Sequence, residues 1–273
     1  MSEKYEGLVC EKNGHIASVY LNRPEKRNAM DLGFWDAMIE MFNELNYDRD
    51  VRVVVLSGRG KSFCAGLDLT SLAQVPGMDM SNQTPANRMD LINHIRRWQE
   101  AMNVVERCRK PVIAAIHGAC VGGGLDLVAA CDIRLAASDA YFSLREAAMA
   151  MVADLGSLQR LPLIIGQGLT RELAFTARDV SSEEALQMRL VNQVYPTLET
   201  LMDEAMKMAH SIAERSPLAV QSSKETLNFS RHVSVEDGLH YAVTRNSIIM
   251  PSADLMEAFQ SFMEKRKPNF SGE

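Results

Sequence analysis

The chain has 273 residues, with 47% hydrophobic and 23% charged, enough for one large or two modest globular domains and unlike collagen-like, coiled-coil or disordered chains. Its 29 basic and 35 acidic residues leave a net charge of −6, which disfavours the clustered positive field that nucleic acids and anionic membrane surfaces require. Small-molecule chemistry is the better expectation.

In chain order, Leu8–Glu11 and Ile16–Leu21 read as two strands of a hairpin, with Asn13-Gly14 as the turn dipeptide. Leu32, Trp35, Met38, Ile39, Phe42 and Leu45 then recur at helical spacing. Val51–Leu56 is a β-branched run of the kind buried on both faces of a sheet. Thr70 to Pro85 mixes Pro, Gly, Ser, Asn and Met without a period and is the best candidate for a mobile loop beside a binding site. Leu91, Ile95, Trp98, Met102, Val105 and Cys108 mark a second helix, and Val112–Ile116 a strand. The triple glycine Gly122-Gly123-Gly124 leads into a short helix ending near Cys131, followed by strands at Ile133–Ala136 and Tyr141–Ser143. Helical periodicity dominates afterwards, over 157–164, 168–176, 181–188, 199–213, 216–229, 233–249 and 252–265, with Ser181-Ser182-Glu183-Glu184 as an N-cap signal. Repeated strand–strand–helix units with a helical tail predict an α/β fold without a linker.

Five cysteines, an odd set without a CxxC pair, point to a reducing compartment. The first residues resemble neither a signal nor a transit peptide, the last ones no peroxisomal or retention signal, and the apolar run Pro111–Ile116 is far too short to span a bilayer, so a cytoplasmic protein is expected. The 17 methionines suit either core filling or a pocket for variable acyl chains.

Several chemistries are disfavoured for lack of their residues. The sequence has no phosphate loop, no HExxH zinc helix and no GxSxG elbow. Leu127 stands where a third dinucleotide-binding glycine belongs, and the six histidines have no metal-ligand spacing. Two glycine turns after strands remain, Phe63–Leu69 and His117–Asp126. Exposed N–H groups there, with a helix dipole at the second, suit an oxyanion hole; a plain tight connection is the alternative. Three acids follow at intervals of 20 and 8 residues: Asp126, Glu146 and Asp154. Asp126 is otherwise a complement to a helix N-terminus, Glu146 a solvated acid, and Asp154 a cap for a helix beginning near Leu155.

As an ordered set, several segments resemble the enoyl-CoA hydratase/isomerase, or crotonase, superfamily: Asn22-Arg23-Pro24 with Asn28-Ala29, Phe63–Leu69, Lys110–Gly118, Gly122-Gly123-Gly124, Cys131–Arg134 and Phe262–Pro268. Gly124-Leu125-Asp126-Leu127, Ala153-Asp154-Leu155-Gly156, Trp98–Glu100, Glu106–Cys108 and Ser157–Pro162 are similar to the branch that isomerises 3,5-dienoyl-CoA. Ala147-Ala148 and Arg109 depart from its pattern, which bears on substrate fit. The resemblance implies a spiral of ββα units over 1–200 and a C-terminal helical trimerisation region over 201–273, continuous and without a linker, in a homotrimer or homohexamer.

It further implies an oxyanion hole from the N–H groups of Leu67 and Gly123, and CoA contacts along Ala65, Gly66, Leu67, Asp68 and Leu69, with Asp68 supporting its turn more than reacting. Lys26, Arg27, Lys265, Arg266 and Lys267 would meet the CoA phosphates, the last three from an adjacent subunit. Glu146 would be the base at C2, Asp154 the acid at C6, and Asp126 an orienting acid near the acyl chain. No cofactor or metal is expected, CoA being part of the substrate, and no nucleic-acid or membrane partner. A hydratase, with Asp126 and Glu146 positioning a water, and a non-catalytic RNA-binding member of the fold are the alternatives.

Overall fold

The computed structural model describes residues 5–75, 77, 78, 81 and 84–273. Strands β1 (Leu8–Asn13) and β2 (Ile16–Leu21) form the expected antiparallel hairpin, but Asn13 pairs with Ile16, so the two-residue turn is Gly14-His15. The shift has a simple cause: the first central position needs positive φ, and Gly14 takes it at 54°. Helix α1 (Leu32–Tyr47) is capped by Asp31, which accepts from Phe34 N, and buries Trp35, Met38, Phe42 and Leu45 as their spacing predicts. Strand β3 (Val53–Gly58) is buried throughout, and Val51, expected within it, precedes it in the core.

Helix α2 (Pro85–Arg107) starts at the Thr84 cap. Of the loop expected between Thr70 and Pro85, residues 76, 79, 80, 82 and 83 lie outside the described set; Leu72–Gln74 form a 3-10 turn. Strands β4 (Val112–Ile116) and β5 (Ala119–Val121) lead into α3 (Gly123–Ala129), then β6 (Ile133–Ala137) and β7 (Tyr141–Ser143). The remaining elements are α4 (Ser157–Ile164), α5 (Gly166–Thr176), β8 (Val180–Ser181), α6 (Ser182–Gln187), β9 (Gln193–Tyr195), α7 (Leu198–Ala213), α8 (Pro217–Ser230), α9 (Val235–Ile249) and α10 (Ala253–Glu264). Ser181 caps α6 through Glu184 N, as the Ser-Ser-Glu-Glu run suggests.

A six-stranded sheet runs β1-β2-β3-β4-β6-β9, parallel beyond the hairpin, and a second sheet runs β5-β7-β8. Isolated parallel bridges, Met30 with Leu67 and Cys64 with Cys120, extend the second sheet toward the first turns of the chain. Each repeat therefore lays one long strand in the large sheet, one short extended piece in the small one, and then a helix. Repeated along the sheet, this is a spiral of ββα units. Burial on both faces explains the near-continuous apolar strands: α7 packs Leu201, Ala205 and Ala209 against one face, beside Val53, Val55 and Ile113, while Val54, Leu56 and Ala114 join the main core on the other.

The tail folds back on this body. Arg52 donates to Ala213 O and Phe270 O, at 3.0 and 2.7 Å, and Asp254 Oδ1 accepts from Ser271 N at 2.8 Å. Leu227, Leu239, Val243, Phe259, Phe262 and Met263 on α8–α10 are exposed in the single chain. Among the described residues no helix is long and apolar enough to cross a membrane.

Candidate active site

The first glycine turn is held from below by buried polar groups. Asn28 accepts from Arg23 N and donates to Arg59 O and Ser62 O, at 2.8 to 2.9 Å. Cys64 Sγ donates to Asn28 O and accepts from Gly66 N. Asp68 pairs with Arg23 at 3.1 Å and accepts from both the N–H and the hydroxyl of Thr70. Met30 bonds to Gly66 O and from Asp68 N, one residue to either side of Leu67. In a parallel bridge this leaves the N–H of Leu67 itself facing away from Met30.

The second turn connects β5 to α3. Gly122 sits at φ 53° as the N-cap, and Gly123 opens the helix, where an N–H has no intrahelical acceptor and lies at the positive end of the dipole. The two turns are in contact. A β-carbon on Gly66, which has φ 92°, would lie 2.9 Å from Val121 O and 3.8 Å from Gly123 N, and one on Gly124 would lie 2.9 Å from Cys64 O. Glycine is what lets the two backbones approach.

They close one end of a cavity of about 360 Å³. Leu72, Leu91, Ile95 and Trp98 from one stretch of the chain and Met149, Met151 and Val152 from another give it an apolar lining, and Trp98 is stacked on Trp35 at 5.0 Å. Glu146 and Asp154 stand on the same lining. The methionines divide between two places: Met30, Met38, Met41 and Met102 fill the core, while Met78, Met149 and Met151 line the cavity.

The three acids differ in their surroundings. Asp126, on α3, is 0% exposed; its Oδ1 accepts from Ser157 N at 2.6 Å and its Oδ2 has no partner among the described residues. Burial, opposed by Ser157, pushes its pKa up to about 6. It lies behind the cavity wall, not on it, and the helix start it satisfies is that of α4. Glu146 heads the 3-10 turn Glu146–Met149, with Oε1 3.2 Å from where a Gly122 β-carbon would sit and Oε2 buried without a partner among the described residues. Burial first, then the neighbouring carboxylates of Asp126 and Asp154, push its pKa up to about 7. Asp154 hangs between Ala150 at φ 56° and Gly156 at φ 126°. It is open to solvent on one side, yet desolvation by the surrounding wall raises its pKa. It does not cap α4, whose N-cap is Gly156.

Of the expected CoA-binding residues, Ala65, Gly66, Leu67, Leu69 and Gly123 line the cavity, whereas the Asp68 carboxylate is turned toward Arg23 and Thr70. Lys26 and Arg27 are exposed beside the first turn, where Arg27 O accepts from Ala65 N. Arg266 is bound by Glu257 and Glu264 of its own region, and neither it nor Lys265 nor Lys267 lines this cavity. Sequence reasoning assigned no site role to Trp98, Arg145, Met149, Met151 or Val152, all on the lining. For Trp98 the signal was present, because helical periodicity put it on the inner face of α2.

The family model described as enoyl-CoA hydratase/isomerase matches residues 11–273. The mitochondrial Delta(3,5)-Delta(2,4)-dienoyl-CoA isomerase of Homo sapiens is 46% identical over 96% of this chain and 81% of its own. The peroxisomal enzyme of the same name from Arabidopsis thaliana is 44% identical over 98% of both chains. The crystal structure of an enoyl-CoA hydratase from Bacillus anthracis superposes with a TM-score of 0.90 at 33% identity, covering 98% of this chain and 100% of that one. The mitochondrial and peroxisomal homes of these relatives overturn the cytoplasmic expectation. That expectation leaned on the lack of a recognisable targeting signal; the cysteines, all five free, report only a compartment that does not oxidise them.

Proposed function

The chain belongs to the enoyl-CoA hydratase/isomerase family, and we infer that it is a Δ3,5-Δ2,4-dienoyl-CoA isomerase. One observation carries the mechanism: Glu146 and Asp154 share an apolar cavity whose end is formed by the two glycine turns.

The thioester carbonyl lies against the N–H groups of Leu67 and Gly123. Glu146, as carboxylate, takes a proton from C2, and the electron pair spreads over a trienolate from the thioester oxygen to C6. Each preorganised donor to such an oxygen is worth about 2.7–4 kcal/mol. Asp154, as the neutral acid, gives its proton to C6, and the double bonds settle at C2–C3 and C4–C5. Substrate and product are isomers, so the step balances without an oxidant or reductant. Burial raises the pKa of both carboxyls, that of Glu146 to about 7, the direction that favours groups able to take up and give back a proton.

Asp126 acts through its position. Its bond to Ser157 N anchors the start of α4, just beyond Asp154, and its charge raises the basicity of Glu146. A hydratase needs two carboxyls presented to one water. Here Asp126 is behind the wall and bound to an amide, which favours isomerisation. The CoA moiety runs along Ala65–Leu69 toward Lys26 and Arg27. The exposed apolar residues of α8–α10 pack against further copies of the chain in a trimer or a pair of trimers, and light scattering that found monomer alone would exclude this.

The activity test offers purified protein a 3,5-dienoyl-CoA and a 2-enoyl-CoA. The expected result is rapid appearance of conjugated 2,4-dienoyl-CoA and little hydration; hydration as the dominant activity would overturn the reading.

A further inference from the structure

Asp154 has a second side. Besides the apolar cavity, it lines a second chamber of about 290 Å³, open to the surface and bordered by Leu155 and Leu163 as well as by the polar side chains of Gln99, Asn103, Glu106, Gln159, Arg160 and His232. The chamber has a fixed frame. Arg160, only 9% exposed, donates to Glu106 at 2.9 Å and to Asn103 Oδ1 at 2.7 Å, and Arg231 closes on the other Glu106 oxygen. Gln99 Nε2 donates to Asp154 O at 2.7 Å, so the chamber wall also holds the acid's backbone. Gly156 makes room for this frame, because a β-carbon there would fall 1.9 Å from the Arg160 guanidinium. Glu146 lines the apolar cavity but not the chamber.

Resting on the isomerase reading, the chemistry gives the chamber a purpose. Each turnover leaves one extra proton on Glu146 and removes one from Asp154, so before the next, Glu146 must release its proton, through the substrate cavity once product leaves, and Asp154 must regain one. While an acyl chain fills the cavity, water has no polar route to Asp154 from that side. We propose that the chamber behind Asp154 is its proton-exchange route to bulk water, separate from the path taken by substrate. A polar space of this size holds several waters, and the amides of Gln99, Asn103 and Gln159 can orient them. Although burial opposes it, Arg160 and Arg231 hold the Glu106 carboxyl below its usual range, so Glu106 stays an anion and frames the route instead of carrying the proton.

Gln159 is exposed on α4 and outside the catalytic cavity, so bulk can be added there. The wild type, Gln159→Phe and Gln159→Trp are compared on 3,5-dienoyl-CoA by rapid mixing and at steady state. Plugging the chamber should leave the first turnover within about twofold of wild type and lower kcat roughly fivefold or more, exposing a burst of one product per site. In D2O the wild type should place solvent deuterium at C6, while the plugged variants should show more C2-derived hydrogen there. The proposal is overturned if both folded variants keep wild-type kcat, if their first turnover slows as much as kcat, or if the wild type in D2O delivers C2 hydrogen to C6. A wild type with no first turnover would overturn the isomerase reading itself, and the chamber's role with it.

Discussion

The two walls of the cavity are made differently. Around the glycine turns, Asn28, Cys64, Met30 and Arg23 fix the backbone on both sides of Leu67, and a β-carbon at Gly66 or Gly124 would meet backbone oxygen. The acid wall is a 3-10 turn and an extended segment between two positive-φ residues, with Met149 45% and Val152 73% exposed. Stabilising an enolate is a requirement of thioester chemistry in general, and the proposed mechanism puts it where the sheets fix geometry. Choosing which carbon gains or loses a proton depends on the side chains of a segment outside the sheets, where residues can change without disturbing a strand. Damage to the first wall should therefore abolish every thioester reaction, and damage to the second this reaction alone.

The sharpest expected separation comes from Glu146→Gln, which should lower kcat by about 10²–10⁴-fold with little change in KM, because it removes a proton acceptor and keeps the shape. Gly66→Ala should cost about 10²–10³-fold on any acyl-CoA, through displacement of the Leu67 donor; an effect confined to dienoyl substrates would break the comparison. Trp98→Leu removes part of an apolar surface and its stacking, so kcat/KM should fall roughly tenfold while proton transfer is unaffected.

Asp126→Asn tests charge alone. With its folded pKa near 6, above the ordinary 3.8, the unfolded chain ionises first as pH rises. Stability is therefore lost between about pH 4 and 6, and above that range the cost is about 2–3 kcal/mol. Asparagine should recover much of it in chemical denaturation at pH 8 and change nothing at pH 3. Since Asp126 helps raise Glu146, the acid limb of kcat/KM, near pH 7 in the wild type, should move to lower pH; an unmoved limb would mean that Asp126 does not act on Glu146.

Much of this was legible from sequence because it was local. The helices follow their apolar spacing, and both glycine turns and all three acids stand out against the strands that precede them. Strands β5, β8 and β9 were not legible: they are two or three residues long and find partners elsewhere in the chain, such as Ala119 with Tyr141 and Leu135 with Gln193. The position of Asp126 behind the wall was equally hidden, since it depends on an amide 31 residues further on. The turn shifted by one residue because glycine, more than the Asn-Gly pair, satisfies the backbone there.

Asp154→Asn separates proton delivery from binding. Rapid mixing with a 3,5-dienoyl-CoA, beside calorimetric titration with the 2,4-dienoyl-CoA product, should show isomerisation slowed by about 10³-fold or more while product binds within roughly threefold of wild type. Wild-type turnover by Asp154→Asn would contradict the account.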